Sequence, residues 1–518
     1  MQITNEILSN FLYCPYKAYR KSNLEKGTIS EYQELYDNLK ETYTRLFKKA
    51  SADSIKFNVN FCNENINLTF DAIEYNEKNR IPIYFIPFEK VTKVDKLYVA
   101  LQATFIQNYF HYKIDFCKII FGKNLRQTKF KIPSYAKSAK KHSFDLDKIL
   151  SNSNPPLFFK NQHCQICEFH DSCLKKLIER DDLSLLAGLK PKEIQQKNNR
   201  GFFSVRQLSY TFRPKKNPYR KRKFLPELKA LAIRENKTFI QVMPTFPLSE
   251  TQIYLDIEGL PDRNFYYLIG VIIKNQDTEK EYSFWANNED EEIPIFIELI
   301  TLITSYSNYT VYHYGSYEIQ VLNSISKKLS SEYQNVVKNI IANTYNILSV
   351  FTNYIYPPTY SNSLKEIARF LKFEWTDSDS SGLQSTIWRY KWELFKDIVL
   401  KNKLLRYNIE DCKALINVKL WIDSLEDENT QQTSEIKQEN IYKWGITNYI
   451  VNEFEEINKK AYFDYQREHI FLRTDKKVYR TISRAKVESE KYNKIDKKVN
   501  LFPEKCEKCK SKNIKIYR

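Results

Sequence analysis

Residues 254 to 271, YLDIEGLPDRNFYYLIGV, form an apolar run with two acids, Asp256 and Glu258, one residue apart inside it. Buried strands usually exclude charge. In a strand, side chains at i and i+2 share a face. These carboxylates therefore stand side by side and repel each other unless something positive lies between them. A divalent metal ion meets that need, and the fold must then bring further ligands to the same face.

Two later stretches supply them. LLRYNIEDCKAL (404 to 415) carries Tyr407 and Asp411 at i and i+4, the spacing that stacks two side chains on one helical face. In YHYGSYEIQVL, Glu318 opens a helix straight after a strand. Asp256, Glu258, Glu318 and Asp411 are all oxygen donors, which favour Mg²⁺ or Mn²⁺. Two such ions about 3.5–4 Å apart can activate water and stabilise a leaving oxygen in phosphodiester hydrolysis. Tyr407 is expected to bond the attacking water or the scissile phosphate, with His313 in a supporting role.

The elements around these residues read in order from 252: strands IYLDIEGL, FYYLIGVIIKN and KEYSFWAN, helix IPIFIELITLITSY, strand YTVYHYG, helix YEIQVLNSISKKL. Three strands, a helix, a strand and a helix is the order of an RNase H-like α/β domain with a mixed sheet. Mainly helical patterns continue to about 425. Residues 1 to 180 read as mixed α/β: a helix at SEYQELYDNLKETYTRLFKKA, a hairpin at IKFNVNFCNENINLTFDAIEY, a strand at IPIYFIPFEK and a helix at DKLYVALQATFIQNYF. Residues 181 to 211 read as two short helices around turns, punctuated by Gly188 and Gly201. The fold class is thus multidomain α/β, in four parts: 1–180, 181–245, 246–425 and 426–518.

Composition narrows the class. The 518 residues are 42% hydrophobic with 33 Phe and 37 Tyr, which excludes a mainly disordered chain. No apolar run of about 18 residues suggests a membrane span. Asn5, Glu6 and Asn10 interrupt any secretory core, so a cytoplasmic location is expected. There, nine cysteines are free thiols or metal ligands rather than disulfides. A net charge of +18 suits a polyanion, although a coding bias towards Lys, Asn, Ile and Tyr gives the same imbalance. Seven Lys or Arg crowd residues 213 to 223, RPKKNPYRKRK, where Lys215, Lys216, Arg220 and Lys221 either contact phosphates or simply keep a linker solvated.

DIE, YHYGSYE and YNIED resemble the three motifs of the DEDD exonuclease superfamily in its tyrosine variant. The wording is most similar to RecB-like nucleases that carry a YprB-type RNase H-like domain, and YPPTYSNSLKEIARFLKFEW (356 to 375) resembles their segment between the second and third motifs. Glu318 stands where most of the superfamily has Asp, and its longer arm still reaches a metal. The resemblance implies a 3′–5′ exonuclease acting on nucleic acid, DNA ahead of RNA. The rival readings are a non-catalytic nucleic-acid-binding component of a mobile element or repair system, and catalysis in the N-terminal domain with the DEDD domain as scaffold.

CQICEFHDSC sets Cys164, Cys167 and Cys173 at metal-ligand spacing, with Cys14 far upstream. This set resembles the [4Fe–4S] clasp of AddB-type nucleases, with zinc as the alternative for four thiolates. Cys62, Cys117 and Cys412 have no partners in sequence and are expected in the core. A RecB-like (PD-(D/E)XK) domain also implies an Asp on one strand and an acid-x-Lys on the next. Asp71 suits the first, but Lys90 has Phe88 two residues before it, and the acid is Glu89, on the other face; Gln102 is a remnant of the accompanying helix motif. This second site reads as degenerate. Residues 181 to 211 resemble a helix–hairpin–helix, whose turn amides hold backbone phosphates. Cys506 and Cys509 are half of a zinc ribbon, which a protein encoded downstream would complete.

Overall fold

The computed structural model describes residues 2–425, apart from 52, 76–79, 152–154, 213–223, 276–277 and 378–380, together with the backbone of 433–435. Lys215, Lys216, Arg220, Lys221, Cys506 and Cys509 lie outside the described residues.

The chain starts with a short strand β1 (Ile3–Thr4), helix α1 (Asn5–Tyr13) capped by the Thr4 side chain, and α2 (Pro15–Ser22), whose first residue is a proline. Helix α3 (Glu31–Lys49) follows, then strands β2 (Ile55–Cys62), β3 (Ile66–Tyr75) and β4 (Arg80–Ile86). Helix α4 (Lys93–Phe110) opens on a Thr92–Asp95 capping box; β5 (Phe116–Phe121), β6 (Arg126–Lys131), α5 (Ala136–Ser151) and α6 (His170–Glu179) complete the region. The strands form one mixed sheet in the order β1-β3-β4-β5-β6, with β2 paired antiparallel to β3. Residues along β2 alternate between half-buried and exposed, as the hairpin pattern predicts. That alternation turns Cys62 outward, so it is exposed and not a core thiol, whereas Cys117 and Cys412 are buried.

Past α6 come α7 (Pro191–Asn198), α8 (Val205–Ser209) and α9 (Pro226–Glu235). The turns around α7 use Gly188 and Gly201 at φ of 95° and 82°, the left-handed region that glycine enters without strain. Leu183, Leu186, Ile194, Val205, Leu208 and Ala230 form their own small core.

Next come β7 (Thr238–Ile240), β8 (Thr251–Leu260), β9 (Phe265–Asn275), β10 (Thr278–Trp285), α10 (Glu292–Thr304), β11 (Tyr309–His313), α11 (Tyr317–Ser326), α12 (Ser331–Ala342), β12 (Thr344–Asn346), α13 (Leu348–Asn353), β13 (Ile355–Tyr356), α14 (Leu364–Phe370), α15 (Gly382–Phe395) and α16 (Ile398–Ser424). The main sheet runs β10-β9-β8-β11-β12, antiparallel across its first three strands and parallel thereafter. Strand β9 is buried over nine consecutive residues, as a strand covered on both faces must be. A smaller sheet joins β13, β7 and the backbone of β14 (Thr433–Glu435).

Helix α3 belongs to two neighbourhoods. Leu35 and Leu39 are buried in the core that also holds Leu255 and Leu415. Glu31 accepts hydrogen bonds from Lys391 (2.7 Å) and Gln384 (3.2 Å) on α15. Nearby, the Glu89 amide donates to Asp262 at 3.0 Å. Among the described residues no helix is long and apolar enough to cross a membrane.

Candidate active site

Asp256 and Glu258 project from one face of β8, paired in register with Gly270 and Leu268 of β9. A register shift between Glu258 and Gly259 ends the regular pairing at that point. Gly259 is needed there, because a Cβ would sit 2.7 Å from the Tyr317 hydroxyl and 2.8 Å from the Tyr266 ring. Helix α16 crosses β8 and β9 and delivers Asp411 and Tyr407. One carboxylate oxygen from each of Asp256, Glu258 and Asp411 lies within 4.8 Å of the others.

Each acid is oriented by a neighbour. Asn408 donates its amide to the Asp256 carboxylate and, at 3.2 Å, to the Asp256 carbonyl. The Ser385 hydroxyl donates to Glu258 at 2.6 Å, and the Trp375 indole to Asp411 at 2.7 Å. Asp411 also accepts from Tyr407. Gly270 leaves room for this arrangement, since a Cβ there would lie 2.3 Å from the Asn408 side-chain oxygen.

Glu318, at the start of α11, is 4% exposed. Its Oε2 is buried without a hydrogen-bond partner, 3.4 Å from the equally unpartnered Nδ1 of His313. It stands outside the tight group of three, yet its charge acts on both Asp256 and Glu258.

Burial, and then mutual repulsion, sets the electrostatics. Desolvation, followed by the charges of Asp411, Glu258 and Glu318, pushes Asp256 well above the usual carboxylate range. Desolvation raises Glu258 to about 8 despite the Ser385 hydrogen bond. Asp411 rises to about 6, restrained by the charge of Lys365 and by the Trp375 and Tyr407 hydrogen bonds. Burial also raises the Tyr407 phenol, so it stays protonated. A largely buried, oxygen-only cluster beside an unsatisfied carboxylate oxygen of Glu318 fits hard divalent cations, which would relieve the repulsion.

Asn408, Ser385, Trp375 and Lys365 were not singled out from the sequence. Asn408 sits between the two motif residues of α16, and Trp375 and Lys365 fall inside the 356–375 segment, so the signal was adjacent. Ser385 carried none.

The four cysteines also gather. Cys14 joins α1 to α2, Cys164 and Cys167 lie in and after a short 3₁₀ turn (Gln162–Ile166), and Cys173 is in α6. All four are half-buried. Burial raises the thiols of Cys14, Cys164 and Cys167, and the cysteines raise one another further. Lys21 and Lys17 of α2 pair with Glu168 beside them, and Arg20 stacks on Phe169 at 3.8 Å. Among the described residues, no three of these sulfurs lie within 4.8 Å of one another.

The residues of the second acid set do not converge. Asp71 pairs with Lys40 of α3 at 2.9 Å and accepts from the Phe85 amide at 2.8 Å. Glu89 is held by Arg126 at 2.7 Å and by the Lys123 amide, while Lys90 is exposed. Gln102 is buried and donates to the Thr69 carbonyl and to Asn5.

Compared with known families, residues 253–423 match RNase_H_2 of the RNase H superfamily. No curated protein matches the chain. A solved structure described as "Crystal structure of SSO0001" is similar at 16% identity and a TM-score of 0.22, over 33% of this chain and 85% of that one. The stretch from 253 to 423 is RNase H-like, which suggests nuclease-type chemistry.

Proposed function

We propose that the RNase H-like domain is the chemical centre of a metal-dependent nuclease, acting as a 3′–5′ exonuclease on nucleic acid, DNA ahead of RNA. The observation that carries this reading is the convergence of Asp256, Glu258 and Asp411 within 4.8 Å, backed by buried Glu318 and by Tyr407 bonded to Asp411. Asp256, Glu258, Glu318 and Asp411 would hold two Mg²⁺ or Mn²⁺ ions, which supply the charge that activates a water and neutralises the leaving oxygen. Ser385, Asn408 and Trp375 fix the carboxylates so that little reorganisation accompanies the reaction. Tyr407 keeps its proton and donates it in a hydrogen bond, which turns from Asp411 towards the attacking water or the phosphate.

In this reading the N-terminal domain, RecB-like in architecture, grips substrate and does not cut it. Its acids are already neutralised by Lys40 and Arg126, which supports a degenerate site. The helix–hairpin–helix-like segment and the basic connector add phosphate contacts. Cys14, Cys164, Cys167 and Cys173 would hold a [4Fe–4S] cluster. Zinc is the rival occupant, since four thiolates suit either group.

An end-labelled panel of single- and double-stranded DNA and RNA oligonucleotides, with Mg²⁺ and with Mn²⁺, tests the activity. Stepwise shortening from the 3′ end is expected. Binding without any cleavage would hand the case to the non-catalytic rival.

A further inference from the structure

Helix α5, far from the acid cluster in sequence, has two opposite faces. Ala139 and Leu146 are buried in the core of the N-terminal region, and Ile149 and Leu150 pack against it. At about 3.6 residues per turn, the far side of the helix carries Lys137, Lys140, Lys141, Phe144 and Lys148, all of them exposed. Phe144 stands in the middle of this stripe and is 70% exposed. Lysines lie one turn before it, at 140 and 141, and one turn after it, at 148.

The positive charges on this face are not neutralised within the fold. Among the described residues Lys137, Lys140, Lys141 and Lys148 pair with no carboxylate, whereas Lys118 and Arg126 are tied to Glu74 and Glu89. The acids of α5 itself, Asp145 and Asp147, flank the stripe, each turned about 80° away from its centre. Residues 116–144, which lead into it, hold eight Lys or Arg and no Asp or Glu. A lysine-rich face alone would be an ordinary solvated surface. The phenylalanine at its centre is the feature that solvation does not explain, because the ring gains nothing from water and takes no part in the core that the rest of the helix buries.

We propose that the outer face of α5 is a docking surface for single-stranded nucleic acid, on which the four lysines hold backbone phosphates and Phe144 stacks on an unpaired base. The proposal builds on the nucleic-acid reading above and adds to it a place and a strandedness. Lysines bind a polyanion by releasing its counterions. An exposed ring binds any base by its flat face, which a duplex keeps inside its own stack. From Lys137 to Lys148 the stripe is about 16 Å long at 1.5 Å per residue, enough for several consecutive phosphates. An anionic membrane also attracts basic helices, but an interfacial helix inserts a broad apolar face. The apolar face of α5 is already buried in its own domain, which leaves one ring.

The test uses the full chain with F144A, F144W and the fourfold variant K137A/K140A/K141A/K148A. Affinity is read by anisotropy, in Ca²⁺ and over a range of salt, on a fluorescein-labelled single-stranded DNA oligonucleotide and on its blunt duplex. F144A is expected to weaken single-strand binding by about tenfold, as loss of one stacked base does, and to leave duplex binding and the salt slope unchanged. F144W keeps the stacking surface and should bind like wild type. The fourfold variant should flatten the single-strand salt slope by about two to three units, at about 0.7 per phosphate contact. All three should melt like wild type, because the face is exposed. Wild-type affinity and slope in both alanine variants, or an equal loss by F144A on duplex and single strand, overturns the proposal. So does sedimentation with phosphatidylcholine–phosphatidylserine vesicles that these variants abolish while oligonucleotide binding persists. If the wild type binds the oligonucleotide as expected but cleaves nothing, the nuclease reading fails by itself and the docking surface stands.

Discussion

At the residue scale, Asp256 and Glu258 are adjacent like charges, the first half-buried and the second 9% exposed, and the consequences of that placement can be measured. Mg²⁺ or Mn²⁺ should raise the melting temperature, because a ligand bound only by the folded state stabilises it by mass action. Asp256→Asn should remove that rise together with cleavage, while leaving the metal-free protein no less stable, since a repulsion has gone. Retention of the metal-induced rise in thermal unfolding would show that the pair is not a metal site. Glu258 adds a pH signature. Its folded pKa of about 8 lies above the usual value near 4.3. The folded, metal-free state thus binds a proton that the unfolded state has released, and stability falls as pH rises from about 4 through about 8. Metal-free Glu258→Gln should therefore gain on wild type between pH 5 and pH 8, as followed by denaturant unfolding at each pH. A constant difference across that range would count against the burial argument. These acids, with Asp411 and Tyr407, were legible because strand and helix periodicities place them on shared faces. Ser385 and Trp375 were not, because each arrives from a distant segment and acts through one hydrogen bond that no periodicity encodes.

At the element scale, the order of β8 to α11 was readable because each strand or helix is long and strongly patterned. The register shift after Glu258 was not, since it depends on how Tyr266 and Tyr317 crowd Gly259. The seating of α16 on β9 depends in the same way on Gly270. Gly270→Ala would drive a methyl against the fully buried Asn408. We expect a loss of about 1–3 kcal/mol, the usual cost of overpacking, and weaker metal binding as Asn408 releases Asp256. Chemical denaturation and a Mg²⁺ thermal titration measure the two effects. An unchanged midpoint in both would mean that α16 has slack at this crossing.

At the scale of the whole molecule, the proposed cysteine clasp would link the first helices to residues 162–179. Anaerobically purified protein is expected to be brown, with thiolate-to-iron charge transfer giving a broad shoulder near about 400 nm. Cys167→Ala should bleach it and lower the stability of the N-terminal region, as read by limited proteolysis. Stoichiometric zinc without iron would leave the ligands standing and sink the cluster. The spacing of Cys164, Cys167 and Cys173 is what points to a metal in the sequence. Partnership with Cys14 was legible only through resemblance, because contact across so long a span is a property of the folded chain.

Helix α3 has a consequence for how this protein can be taken apart. Leu35 and Leu39 are buried in the core of the acid-bearing domain, although they precede that domain by some two hundred residues of sequence. A protease that nicks the basic stretch at 213–223 should not release two independent pieces. The fragments should migrate together on a sizing column until denaturant separates them. The amino-terminal part is then not an accessory that drift could discard once its own acids are neutralised. It shares one hydrophobic core with the domain in which Asp256 and Glu258 stand.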